Sequence, residues 1–243
     1  MTREELLALI DKAAAEGWTE LDLSEQGLTE LPAEIGKLTQ LETLILGTVN
    51  AWKVEDDKLI PMPRPITNAL TDLPKELKTL ENLQTLDLSG NPLTDIPAIL
   101  LEMPRLQSLT LTSIGLLEIS NLIVQLTNLT ALDLSGNQIS EIPDSIVQLT
   151  NLTELNLGRN RISEIPDSIV QLTNLTRLSL SGNQLSEIPD SIVQLTNLTW
   201  LFLSGNQLSE IPDSIVQLTN LTRLSLSGNQ LSKIPDSITQ LTN

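Results

Sequence analysis

The sequence lacks cysteine, histidine and tyrosine, and among its 243 residues it has a single phenylalanine and three tryptophans. Without cysteine there is no disulfide framework and no thiolate metal site, which favours a reducing compartment. Without histidine or cysteine the usual nucleophile–base pairs of covalent catalysis are unavailable. Long apolar runs are missing too. The start, MTREELLALIDKAAAEGW, carries charges throughout and does not read as a secretory signal. No stretch approaches the roughly 18 apolar residues of a membrane span. These absences predict a cytoplasmic protein with no membrane association. Positive charge is scarce as well: 14 basic against 31 acidic residues leave a net charge of −17. Such a chain is a poor ligand for phosphate backbones, so nucleic acid is not an expected partner.

What the sequence does have is a period of 23 residues. Leu175–Asn197 reads LTRLSLSGNQLSEIPDSIVQLTN and Leu198–Asn220 reads LTWLFLSGNQLSEIPDSIVQLTN. A fixed period in the range of 20–50 residues marks a solenoid, in which each unit needs its neighbours to bury its apolar face. With Leu175 as position 1, apolar residues fall at positions 1, 4, 6, 11, 14, 18 and 21, asparagine at position 9 and proline at position 15. Alternation over positions 3 to 7 suits a short strand. Stacked repeats then give a parallel sheet on one side, and a turn with a short helix or extended segment on the other. Nine repeats fit, starting at Trp18, Leu41, Leu83, Leu106, Leu129, Leu152, Leu175, Leu198 and Leu221.

The pattern L-x-x-L-x-L-x-x-N-x-L-x-x-I-P-x-x-I-x-x-L-x-x resembles the leucine-rich repeat and covers residues 18–243. The resemblance implies an α/β solenoid that is curved, with its parallel sheet on the concave face and short helices or turns on the convex face. Position 9 holds Asn68, Asn91, Asn137, Asn160, Asn183, Asn206 and Asn229, a ladder of amides expected to satisfy backbone groups of adjacent turns. Gln26 takes this place in the first repeat. The fourth repeat departs from the pattern, with Ile114 for asparagine and Ser120 for proline, and a local distortion is expected there.

Residues 1–17 form a predicted capping helix, about Arg3–Glu16. Thr2 and Glu5 make a T-x-x-E capping box, Leu6, Leu7, Ile10 and Ala14 share a face, and Gly17 is the stop. At the other end Asn243 occupies position 23 with nothing after it. Terminal repeats need a polar cap, so either the natural chain continues or a partner covers the open edge. Leu41 to Leu83 spans 42 residues, 19 more than the period, so the second repeat carries an insertion near residues 47–66. Trp52 and Val54, then Leu59 and Met62, flank the acidic turn EDD. The segment reads as a tolerated loop or as a small hairpin serving as a flap on the concave rim, with Trp52 and Val54 as its candidate contact residues.

No phosphate-binding glycine motif occurs, and no cofactor or metal is implied. Glu141, Glu164, Glu187 and Glu210, like Asp144, Asp167, Asp190 and Asp213, recur with the repeat and read as solvated ladders. Five N-L-T triplets, from Asn128 to Asn220, match the glycosylation pattern formally, but they recur only because the repeat does.

The differences between repeats carry the functional signal. Among the repeats from Leu152 to Leu221, SEIPDSIVQLTN hardly changes. Position 3 instead reads Glu154, Arg177, Trp200, Arg223, position 5 reads Asn156, Ser179, Phe202, Ser225, and position 8 is Arg159 in one repeat and glycine in the others. Positions 3 and 5 alternate with core leucines and point out of the sheet. An aromatic pair flanked by guanidinium groups resembles an interaction hot spot. The competing reading is self-contained: Glu154 pairs with Arg177, and both arginines stack on Trp200. The earlier repeats present Glu20, Asp22, Thr43, Ile45, Thr85, Asp87, Ser108, Thr110, Ala131 and Asp133, an acidic and small-residue surface.

The form L-x-x-[IL]-P-x-x-[IL]-x-x-L is similar to the Ras-group repeat. The opening helix, the segment ELDLSEQGLTELPAEIGKLTQLETLILG and the insertion in the second repeat resemble the N-terminal part of microbial Roco proteins. That resemblance implies a regulatory region of a larger GTPase, with a small GTPase or a GTPase domain of the same parent as partner. The expected function is a non-catalytic protein-binding module acting through the concave face. The alternatives are a free-standing adaptor and a bacterial effector that binds host proteins. The oligomeric state stays open.

Overall fold

The computed structural model describes residues 1–47, 52–55, 58–61, 67–235 and 238. The chain divides into two compact units, Met1–Gly115 and Leu116–Asn243.

The first unit opens with α1, Arg3–Glu16. Thr2 Oγ1 accepts from the Glu5 N–H and Glu5 accepts from the Thr2 N–H, which completes the capping box. Those hydrogen bonds from Thr2, backbone first and hydroxyl second, hold the Glu5 carboxyl below its ordinary pKa. Gly17 ends the helix at φ 67°, a left-handed stop that glycine takes without a Cβ clash. The buried residues are Leu6, Ile10 and Ala13. Ala14, expected on that face, is exposed, and Leu7 is half-buried: the face is rotated by one residue. Arg3 pairs with Glu30, and Lys37 with Asp11 at 2.5 Å, so both ion pairs tie the helix to the first repeat. The Asp11 contact raises the Lys37 pKa.

Four short strands follow in parallel: β1 (Glu20–Asp22), β2 (Thr43–Ile45), β5 (Thr85–Asp87) and β6 (Ser108–Thr110). Between β2 and β5 the insertion forms an antiparallel hairpin of β3 (Trp52–Glu55) and β4 (Lys58–Pro61), with Trp52 opposite Pro61. The proline closes the second strand, as its missing N–H requires. Trp52 and Val54 stand on β3. Their side chains, like Met62, lie outside the described residues.

The second unit carries five parallel strands: β7 (Ala131–Asp133), β8 (Glu154–Asn156), β9 (Arg177–Ser179), β10 (Trp200–Phe202) and β11 (Arg223–Ser225). In the repeat from Leu175 the seven apolar positions, Leu175, Leu178, Leu180, Leu185, Ile188, Ile192 and Leu195, are all buried. The corresponding Leu224 and Leu226 of the last repeat are half-buried, and Ile234 is 57% exposed.

Opposite the strands, seven of the first eight repeats make a five-residue 3₁₀ helix, such as Asp167–Gln171, preceded by the position-15 proline. That proline is extended, and its carbonyl accepts from the residue three positions on, as in Ile169 N–H to Pro166 O at 3.0 Å. In the fourth repeat, where Ser120 stands for proline, the element is a one-turn α-helix, α2 (Asn121–Val124).

Asparagine ladders join the repeats. Asn183 is 6% exposed. Its Nδ2 donates to Leu157 O and Leu180 O at 2.9 Å each, and its Oδ1 accepts from the Ile162 N–H at 3.0 Å. Asn68 keeps this role after the insertion, accepting from Leu28 and donating to Leu23 and Leu46. The asparagines of four N-L-T triplets, Asn151, Asn174, Asn197 and Asn220, donate from Nδ2 to a threonine carbonyl of the preceding repeat. Ser168, Ser191 and Ser214 donate to Asp144, Asp167 and Asp190. These recurring polar residues are thereby explained as inter-repeat ties.

Candidate functional site

Strands β8 to β11 place position 3 of four successive repeats in register: Glu154 opposite Arg177, Arg177 opposite Trp200, Trp200 opposite Arg223. Parallel strands lie about 4.8 Å apart, so each side chain reaches its neighbours. Arg177 Nη1 donates to Glu154 Oε1 at 2.9 Å. Its Cζ lies 3.9 Å from the Trp200 ring centroid, and the Arg223 Cζ lies 4.5 Å from the same ring. Because β9 and β11 flank β10 on opposite sides, the two guanidinium groups take opposite faces of the indole. Phe202, two residues along β10, sits with its ring centroid 6.0 Å from that of Trp200 at an interplanar angle of 56°. Both aromatic residues are half-buried, where solvent-facing positions were expected; the arginines supply the cover for Trp200. Glu154 and Arg177 side chains remain 47% and 43% exposed.

Five of the seven residues singled out on this face therefore form one connected cluster: Glu154, Arg177, Trp200, Phe202 and Arg223. Asn156 and Arg159 do not join it. Asn156 donates to Asp133 Oδ2 at 2.8 Å and accepts from the Gly158 N–H at 3.1 Å. Asp22, Asp87 and Asp133 accept in the same way from the N–H two residues on, each at 2.8 Å. Position 5 is thus a turn-capping position in those repeats. Phe202 has no acceptor to offer there, so β10 gives up a scaffold hydrogen bond in favour of an aromatic surface.

Arg159 lies beyond the end of β8 on an exposed turn, with φ 54°. Gly90, Gly136, Gly182, Gly205 and Gly228 fill the same position at φ between 68° and 72°. Glu25 and Ser113 take this position left-handed as well, at φ 58° and 57°; a side chain there carries strain that glycine avoids. Sequence reasoning missed Arg161, exposed and donating to Gln138 Oε1 at 2.8 Å. Its signal was available: position 10 is glutamine in the surrounding repeats Gln138, Gln184, Gln207 and Gln230.

The leucine-rich-repeat profile matches residues 104–162, 127–185, 150–208, 173–231 and 196–243, and a two-copy profile matches 81–124. The chain belongs to the leucine-rich-repeat family. Among solved structures it is similar to a leucine-rich-repeat protein of Leptospira interrogans, at 36% identity and a TM-score of 0.81, over 96% of this chain and 55% of that one. It is similar to the leucine-rich-repeat domain of the type III effector XopL, at 27% identity and a TM-score of 0.73, over 96% and 77%. It also resembles the ectodomain of the membrane receptor kinase GASSHO1/SCHENGEN3 of Arabidopsis thaliana, solved in complex with CASPARIAN STRIP INTEGRITY FACTOR 2. There the identity is 30% and the TM-score 0.65, over 88% of this chain and 27% of that one. The chain thus spans about half of the Leptospira leucine-rich-repeat protein and about a quarter of the plant one. No curated protein matches it. Leucine-rich-repeat domains are in general non-catalytic, and the fold is consistent with a protein-interaction module.

Proposed function

We propose that this leucine-rich-repeat protein binds a protein partner through the sheet face of β8 to β11, which the family resemblance makes the concave face. The observation that carries this is Phe202 beside Trp200 at positions where neighbouring repeats hold Ser, Asp, Asn or Arg. Aromatic residues and arginine dominate binding energy at protein interfaces, and an open sheet face suits a protein segment better than a small ligand, which needs a deeper pocket. The internal stacking of the arginines on Trp200 is compatible with this role, because a pre-ordered cluster loses less entropy on binding. The test is a Trp200→Ala, Phe202→Ala double variant used as bait beside the native chain. Loss of partners with unchanged circular dichroism supports the reading; retention of every partner sinks it.

Two finer readings concern the parent. The resemblance of the opening helix, residues 20–47 and the insertion in the second repeat to Roco proteins favours a regulatory region that meets a GTPase, within the same parent or as a small GTPase. The 27% identity to the effector domain favours a bacterial effector that meets host proteins. Sequencing the native reading frame past Asn243 separates them. A G-x-x-x-x-G-K-[ST] motif in a βαβ context supports the first, and a stop soon after a polar cap removes it.

A further inference from the structure

Resting on the reading of β8 to β11 as a binding face, we propose that the segment this face receives is acidic. It is an extended peptide with carboxylates at alternate positions that bridges Arg177 and Arg223 across Trp200 and displaces Glu154 from Arg177.

The charge on this face runs against that of the chain. The net charge is −17, yet positions 3 and 5 of β8 to β11 hold two arginines and one acid, Glu154. Arg159 and Arg161 add two more cations on the turn that follows β8. A basic partner would be drawn to most of this molecule's surface without preference for this face; an acidic one is drawn here and repelled elsewhere.

Trp200 itself is closed to stacking. Its two faces are covered by guanidinium groups at 3.9 and 4.5 Å. A partner meets the edge of the indole, the Phe202 ring and the rims of the two guanidinium planes. A guanidinium held against the ring through its Cζ still has N–H groups at its rim to offer, and that planar fork matches a carboxylate. Trp200 thereby acts as a spacer that positions two anion-binding groups.

Their state of occupation differs. Arg223 has no carboxylate partner among the described residues. Arg177 holds Glu154 through one nitrogen in an exposed pair, a class of contact that is weak and easily exchanged. The spacing fits as well. β9 and β11 are two strand spacings apart, about 9.6 Å, and both arginines lean inward to the ring. An extended peptide places side chains i and i+2 about 6.6 Å apart on one face, and the reach of a glutamate closes the rest.

The probe is a labelled nine-residue synthetic peptide with glutamate at three alternate positions among serine and valine. Its controls carry glutamine or lysine at the same places. Fluorescence anisotropy on the full chain is expected to give saturable binding of the glutamate peptide at least about fivefold tighter than of either control, and weaker binding as salt rises. Arg223→Gln should lower that affinity about tenfold. Glu154→Gln should raise it severalfold, because it frees Arg177; a merely structural role for Glu154 would leave affinity unchanged or lower it. The inference is overturned if either control binds as tightly as the glutamate peptide, if no peptide binds, or if Glu154→Gln fails to tighten binding. Should it be overturned while the double-alanine bait still loses its partners, the binding-face reading stands without it.

Discussion

The two units of this chain use the same repeat and hold it together differently. In Leu116–Asn243 the repeats are near copies, and the ties between them are copies too: buried asparagines, threonines such as Thr176 donating to Thr153 O, and serine–aspartate pairs outside. In Met1–Gly115 the repeats vary. That unit keeps buried asparagines at Asn68 and Asn91 and adds a capped helix pinned by Arg3–Glu30 and Lys37–Asp11, an inserted hairpin, and Gly47, where a Cβ would run into the Ser89 backbone and the Asp87 carboxylate. Regularity makes function legible. Where most residues are explained by stacking, the few that stacking does not explain stand out, and these are Trp200, Phe202, Arg177, Arg223 and Arg159. In the first unit variation is everywhere and marks nothing in particular.

The largest expected effect comes from breaking the regular unit at its buried ladder. Asn183→Ala removes three hydrogen bonds and strands buried backbone groups of two repeats, which should cost about 3 kcal/mol. Asn197→Ala removes one exposed bond and should cost about 0.5 kcal/mol. Chemical denaturation of both variants checks the contrast; equal losses would mean that the ladders are not graded by burial.

Next in size is the loss of Trp200. Trp200→Ala removes a half-buried indole and frees two arginines, with an expected stability loss of about 1–2 kcal/mol. Binding of the partner should fall by about two orders of magnitude, as for a central hot-spot residue. Ala131→Trp, the same size of change on the small-residue part of the second unit's sheet face, should confer no affinity for that partner. Titration by calorimetry distinguishes the two.

Much of this was readable from the chain. The strands, the amide ladder and the helix cap follow from periodicity and from side chains with fixed preferences, whereas the hairpin was one of two readings of the insertion. The register of Arg177, Trp200 and Arg223 followed from the period alone, since a constant repeat length forces equal positions side by side. Less legible was whatever depends on a short local conformation. The segment after each proline is too short for periodicity to tell a 3₁₀ turn from an α-helix. The buried alanine of α1 is Ala13, because the angle at which the helix lies on the first repeat is a packing outcome. Asp22, Asp87 and Asp133 read as an acidic surface and Asn156 as a binding residue, whereas each caps the backbone two residues on. That a stacked arginine would close each face of Trp200 was one of two readings of the same four residues, and only the side-chain geometry chose its form.

A smaller effect tests whether Arg159 is held in place against the scaffold's preference. Arg159→Gly puts glycine where five other repeats have it at the same φ. Relief of left-handed strain exceeds the added chain entropy of glycine, and the variant should gain about 0.5 kcal/mol in denaturant unfolding. A loss of stability would show that the Arg159 side chain, whose Cγ stands 3.3 Å from where a Cβ on Gly182 would be, contributes more packing than its backbone costs.

The smallest effect belongs to the first unit and to pH. Glu5 has a folded pKa below its unfolded value because its carboxylate accepts from Thr2. A lowered folded pKa means that the unfolded state binds the proton more readily, so the stabilisation is present above the unfolded value and is lost as pH falls through the folded one. Lys37 behaves in the opposite sense: its folded pKa is raised by Asp11, and its contribution is complete below the ordinary lysine value and lost as pH rises through the folded one. Both residues are exposed, so each effect is local fraying of α1 and not global unfolding. Amide exchange of residues 5–10, compared with that of residues 176–180, should show protection of α1 falling below about pH 4 while the second unit is unchanged. Glu5→Gln should flatten that dependence, since glutamine keeps the capping acceptor but does not titrate. If protection in both units fell together, the helix cap would be part of a single cooperative block, and the distinction drawn between the two units would not extend to their stability.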